Sequence, residues 1–282
     1  MKPTFPLFFV LLFAGRFPLF AVDDVWFADT RPGTVALSRL ETNRWETTTD
    51  QEFLDTFDAD VPLIVVVHGN WMSRTEAKSY GLLFHSLSRN ADPHRLLIWS
   101  WPSEKMDCRI RRDAQIKAVR ADAQSEYLLA FLRSLPAESK VSLIGFSYGA
   151  KLICSTLQHS VDPSEQIRRV RAVLLAAAMD QGSLRPGGKY GDALQATEKL
   201  LVHVNPLDST LRFYPLLYGC GGPEAVGKAG VNRNGLSAES AAKIKSVNVS
   251  RMIGREHGTK ESLTTFLAYP NDFKTYALFL GD

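Results

Sequence analysis

The stretch Lys140 to Ala150, read Lys-Val-Ser-Leu-Ile-Gly-Phe-Ser-Tyr-Gly-Ala, constrains the fold more than any other part of the chain. Strand-forming Val141, Leu143 and Ile144 run straight into Gly145-Phe146-Ser147-Tyr148-Gly149. A second apolar run, Leu152, Ile153 and Leu157, follows at helical spacing. The pattern predicts a buried strand, a sharp turn and a helix, with Ser147 at the apex of the turn. A residue on so sharp a turn has a strained backbone, and Gly145 and Gly149 leave room for the elements around it. The Ser147 hydroxyl is then presented at the end of the sheet. The Tyr148 N–H, at the positive end of a helix, faces where an oxyanion would form. Gly-x-Ser-x-Gly alone is a common pentapeptide. Its position between a strand and a helix makes Ser147 a candidate nucleophile.

The remaining chain repeats the strand–helix alternation. Val61 to Val67 is a β-branched run of the kind buried on both faces of a parallel sheet, and it ends in His68-Gly69-Asn70-Trp71. Ser73-Arg74-Thr75-Glu76 has capping-box spacing for the helix that follows. Strands are expected at Arg95–Trp101, Val170–Ala178, Leu200–Val204 and Val247–Ile253. A long helix is expected to open at Asp113 and to carry Ile116, Val119, Ala123, Tyr127, Ala130 and Phe131 on its apolar face. Residues 22–60 read as one or two edge strands of an N-terminal hairpin, and a closing helix begins near Lys260. The sum is an α/β protein, a doubly wound, mostly parallel sheet with helices on both faces, with residues 22–282 forming a single domain. A chain of 282 residues buries roughly three-quarters of its unfolded surface, so it needs no disulfide framework.

Ligands in such sheets meet the carboxyl ends of the strands. Those ends carry His68-Gly69-Asn70, Ser147, Asp180, Asp208 and His257. A serine hydroxyl needs a base beside it at neutral pH. His257 follows the last strand and precedes Gly258, where an imidazole can lean back over the sheet. His85 and His159 lie on helices, His94 precedes a strand, and His203 lies inside one. Two acids compete to orient His257. Asp208 follows the strand before the last, at a turn where it also reads as a helix N-cap, and Asp180 follows the strand before that. Asp208 is the favoured acid and Asp180 the alternative. The backbone N–H of Asn70 is the expected second oxyanion donor, with Trp71 as the fallback. His68 is expected to hold that loop by hydrogen bonds.

These motifs resemble those of the serine α/β-hydrolases. The resemblance runs from Val61 to about Leu267 and is carried by Val67-His68-Gly69-Asn70, Trp99-Ser100-Trp101-Pro102-Ser103, the Gly145–Gly149 elbow, and Asp208 followed by Ser-Thr-Leu. Among such proteins the chain is most similar to a bacterial family known only as a domain of unknown function. Phe146 stands where many members have His, and Tyr148 where Met or Gln is common; both leave the backbone donors intact. The resemblance implies the α/β-hydrolase fold and hydrolysis of carboxylic esters or thioesters through an acyl-Ser147 intermediate, with no metal and no cofactor. A different class of function, a catalytically inactive binding or scaffold protein of the same fold, is the alternative. Only about twenty residues separate Met179 from Leu200, which excludes a large cap domain and leaves 181–198 or 219–235 as a small lid.

The N-terminal segment and the charge balance give expectations for address and partners. Met1 and Lys2 precede an apolar run from Phe5, interrupted at Arg16, that ends in Leu19-Phe20-Ala21. This reads as a signal peptide over residues 1–21 and an exported product, periplasmic or extracellular, with contact to a membrane only through that segment if it stays uncleaved. Its removal takes Lys2 and Arg16 and no acids, so the net charge falls from +3 to +1 and nucleic acid is not an expected partner. The expected partner is a small acyl ester. Three cysteines allow at most one disulfide, and Cys108 and Cys220 are the pair in loops, while Cys154 reads as a core residue.

Overall fold

A computed structural model of the chain describes residues 24–161, 169–219 and 221–281. The segment read as a signal peptide lies outside the described residues, as does Cys220. Cys108 is exposed with a free thiol, and Cys154 is buried.

In chain order, the N-terminal part gives β1 (Val25–Asp29), β2 (Ala36–Glu41), β3 (Arg44–Thr48), α1 (Asp50–Asp55), β4 (Leu63–Val67) and α2 (Arg74–Ser88). Next come β5 (Arg95–Ser100), α3 (Ile110–Arg133), β6 (Val141–Phe146), α4 (Tyr148–His159), β7 (Val170–Leu175) and β8 (Lys199–Val204). A 3-10 turn over Leu211–Leu217 leads to α5 (Val226–Ala229), α6 (Ala238–Ala242), β9 (Ile244–Asn248), α7 (Ser250–Ile253), α8 (Thr259–Leu267) and α9 (Pro270–Tyr276).

The strands form one sheet in the order β3-β2-β1-β5-β4-β6-β7-β8-β9. All neighbours from β1 to β9 in that order pair in parallel, and β2 runs against β1 and β3. β1, β5, β4, β6 and β7 are buried along their whole length, as the unbroken Leu-Ile-Val-Val-Val of β4 requires. Alternate residues face opposite layers. Val65, Val67 and Leu143 pack with α3 and α4, whereas Ile64, Val66 and Ile144 pack with α2, α8 and α9. The chain is an α/β protein, a doubly wound, mostly parallel sheet with helices on both faces.

Four local expectations need correction. β1 is an inner strand, parallel to β5 and fully buried, and the edge belongs to β3. Arg-Trp-Glu-Thr-Thr offers Trp45 as its one large apolar side chain, so no run marks β3 as a strand. Helix α3 starts at Ile110 and buries Asp113, Ala114, Lys117, Ala121, Ser125, Leu128 and Leu132, leaving Val119 70% exposed. Its inner face was hidden because several of its members are polar. The last strand is β9, and Ser250–Ile253 belongs to α7. The expected segment overlaps β9 only at Val247 and Asn248, because the edge strand carries charged Lys245 and polar Ser246 and so has a weak apolar signature. The segment 181–198 is built into the core through Leu184, Tyr190, Ala193 and Leu194, where the Lys151 Nζ meets the Tyr190 hydroxyl at 2.6 Å.

Candidate active site

The turn at Ser147 is the link between β6 and α4. Ser147 has φ 53° and ψ −115°, a conformation that costs a non-glycine residue of order 1–3 kcal/mol. Its backbone is held from both sides: its N–H donates to Leu175 O at 2.9 Å and its carbonyl accepts from Ala178 N–H at 3.2 Å. The flanking glycines serve close approach. A Cβ on Gly145 would lie 2.6 Å from the Ala150 backbone, and one on Gly149 would lie 2.2 Å from Val67 O. Helix and strands therefore crowd against the turn and keep Ser147 at its tip.

Opposite the turn, His257 Nε2 lies 3.2 Å from Ser147 Oγ, and His257 Nδ1 lies 2.7 Å from Asp208 Oδ2. The Asp208 side chain is 1% exposed and that of His257 12%. The Asp208 carboxylate does two jobs. Oδ1 accepts the N–H groups of Thr210 and Leu211 at 2.9 and 2.7 Å, and Oδ2 receives the imidazole. The contact with the turn and the contact with His257 coexist, one per oxygen. Asp180 turns away: its Oδ1 accepts the Gly182 N–H at 2.7 Å within its own loop. The Phe146 ring packs on His257 with centroids 5.2 Å apart.

Gly69 brings the β4 exit against the turn, since a Cβ there would stand 3.1 Å from the Ser147 Cβ. Next to it, the Asn70 N–H donates no hydrogen bond among the described residues, and neither does the Tyr148 N–H at the first position of α4. Trp71, the fallback donor, is engaged elsewhere: its N–H donates to Ser103 O at 2.8 Å. The loop is stitched to the exit of β5. Met72 N–H donates to Ser103 Oγ, which donates to Met72 O, both at 3.1 Å, and Arg31 Nη2 reaches the same carbonyl at 3.1 Å.

His68 is fully buried and its two nitrogens are taken. Nδ1–H donates to Gly69 O at 2.8 Å, and Nε2 accepts the Trp101 N–H at 3.1 Å. Burial pushes its pKa down to about 4, which outweighs the pull of the Gly69 carbonyl in the other direction. It holds the loop, as its sequence position suggested. The residues that sequence reasoning missed are Ser103 and Asp113, which anchor Trp71. The signal for Asp113 was its i, i+4 spacing to Lys117 in the first turns of a helix.

Among the described residues, no group of three or more His, Cys, Asp or Glu side chains could hold a metal ion, and no helix is long and apolar enough to cross a membrane.

No protein-family model matches the chain, and no curated protein matches it. Solved structures do resemble it. An acetyl xylan esterase structure is 13% identical with a TM-score of 0.40, over 78% of this chain and 96% of that one. An uncharacterized protein from Bacillus cereus ATCC 10987 is 15% identical with a TM-score of 0.39, over 77% of this chain and 62% of that one. A protein from Listeria innocua is 11% identical with a TM-score of 0.36, over 79% of this chain and 94% of that one.

Proposed function

We propose that the protein is a serine hydrolase that cleaves carboxylic esters or thioesters through an acyl-Ser147 intermediate. The observation that carries the reading is the continuous path Ser147 Oγ, His257, Asp208, with separations of 3.2 and 2.7 Å, at a strained strand-to-helix turn. As Ser147 Oγ attacks the acyl carbon, His257 Nε2 takes its proton, and the acyl oxygen becomes an oxyanion. Asp208 fixes the tautomer with the proton on Nδ1 and stabilises the imidazolium without itself becoming protonated. The free N–H groups of Asn70 and Tyr148 stabilise the oxyanion. Collapse expels the alcohol or thiol, which takes the proton from His257. Water then repeats the sequence on the acyl-serine and releases the acid.

Chromogenic esters of increasing acyl length, assayed on the wild type and on Ser147→Ala, test the reading. Turnover by the wild type and its loss in the variant are expected. A folded wild type inert to every ester, or turnover that persists in Ser147→Ala, leaves the fold without this chemistry.

A further inference from the structure

Asp113 lies at the fourth position of α3 with its side chain wholly buried, and the exit loop of β4 converges on it. Its Oδ2 accepts the Trp71 indole N–H at 2.5 Å. Its Oδ1 accepts the N–H groups of Met106 and Asp107 at 2.7 and 3.0 Å and the Lys117 ammonium at 3.1 Å. Lys117 is also fully buried, so the carboxylate meets a positive charge out of water and the bond between the two is strengthened. Burial pushes the Asp113 carboxyl up, and these four donors together overcome that push and hold it at about 2.

Nothing in the acyl-transfer steps calls for this group, since Asp113 touches neither Ser147 nor His257 among the described contacts. Its effect is on Trp71. That residue has φ 59°, a left-handed conformation that an indole-bearing residue adopts only when its surroundings impose it. Two anchors impose it here: the indole N–H is held by Asp113 and the backbone N–H by Ser103 O. With Trp71 turned to Ser103, its N–H leaves the site, and the preceding Asn70 N–H stays without a partner beside the turn that carries Ser147.

We infer that Asp113 is a positioning residue, acting through Trp71 to set the direction of the Asn70 N–H as an oxyanion donor. The inference rests on the acyl-transfer reading of Ser147. It extends the working parts of the site to a buried ion pair on a helix that carries no reacting group. A misdirected donor is lost mainly from the transition state, so the defect belongs in kcat and not in KM.

The test compares wild type, Trp71→Phe and Asp113→Asn on a short chromogenic ester, together with inhibition by an arylboronic acid, whose serine adduct carries a tetrahedral oxyanion-like centre. Trp71→Phe keeps an aromatic ring and removes the indole donor, so it decides the matter if Asp113→Asn does not fold. The expected result is kcat lowered about 10- to 100-fold with KM within about threefold, and a boronate Ki raised by the same factor as kcat falls. Unchanged kcat per folded molecule in Trp71→Phe, or a rise in KM with the boronate Ki unmoved, overturns the positioning role. A wild type that neither hydrolyses the ester nor binds the boronate removes the acyl-transfer reading itself, and the positioning role falls with it.

Discussion

The exits of β7 and β8 are neighbours at the same end of the sheet, and each ends in an aspartate, yet only one of the two acids meets His257. The β8 exit is laced to the loop that carries the histidine. The Asn205 amide donates to Gly254 O at 3.0 Å, and the Ser209 N–H donates to Arg255 O at 3.0 Å. The β7 exit is laced elsewhere, with Gly227 N–H on Ala177 O at 2.9 Å, Val226 N–H on Met179 O at 2.8 Å and Gln181 N–H on Glu224 O at 2.9 Å. Asp180 is therefore drawn into an Asx-type turn, while Asp208 is buried and aimed across the site. An acid at a strand end gains a partner from the backbone stitching of its loop, which the acid itself does not encode.

The comparison can be broken at several points. The largest effect is expected from Asp208→Asn, which leaves the shape but presents an amide to the imidazole. The value of kcat/KM should fall about 10³- to 10⁴-fold. If Asp180→Asn were the variant that fell so far, the assignment of the two loops would be reversed.

A second effect is thermodynamic and centres on His203 in β8. His203 is 2% exposed with no hydrogen-bond partner at either ring nitrogen among the described residues, and burial pushes its pKa down to about 4. Its folded-state pKa is below the unfolded value near 6.5, so the unfolded chain binds the proton first as pH drops. The stability it contributes is complete above about pH 6.5 and is lost as pH falls toward 4, by roughly 2–3 kcal/mol. His68 adds a loss of the same sign in the same window. Urea unfolding at pH 7 and pH 4.5 should show a smaller pH-dependent loss in His203→Leu than in the wild type; an equal loss would contradict this account.

Smaller effects sharpen the contrast. Asn205→Ala removes both the bond to Gly254 O and the acceptor for the Leu207 N–H at 3.1 Å. The β8 exit should then hold His257 less well, with kcat/KM down about tenfold as the alignment of Asp208 with His257 loosens. Asp180→Asn should change kcat/KM less than about threefold, and because the amide Oδ1 still accepts the Gly182 N–H its stability should stay within about 0.5 kcal/mol of the wild type. Chemical denaturation of both variants separates loss of fold from loss of rate.

Much of the fold and site was legible because the determinants are local. Gly145, Ser147 and Gly149 sit where a strand must become a helix in one residue, and the β-branched run of β4 has no other stable home than an inner strand. The candidates Ser147, His257, Asp208, Asn70 and Tyr148 could be named from strand ends alone. What escaped depends on partners distant in sequence. The inward face of α3 uses Asp113, Lys117 and Ser125, so polarity inverted its apparent apolar stripe. β3 is defined by its pairing with β2, not by its own composition. The choice between Asp208 and Asp180 lies in hydrogen bonds to Gly254 and Arg255, some fifty residues downstream.

The proposed chemistry requires Ser147 Oγ to be the acylated atom and Asp208 its remote partner. Peptide mapping after timed reaction with a fluorophosphonate tests both at once. The adduct should form on Ser147 in the wild type and, at a similar rate, in Asp180→Asn, and should form at least a hundredfold more slowly in Asp208→Asn. An adduct on another residue, no adduct on folded wild type, or equal rates in the two aspartate variants would contradict it.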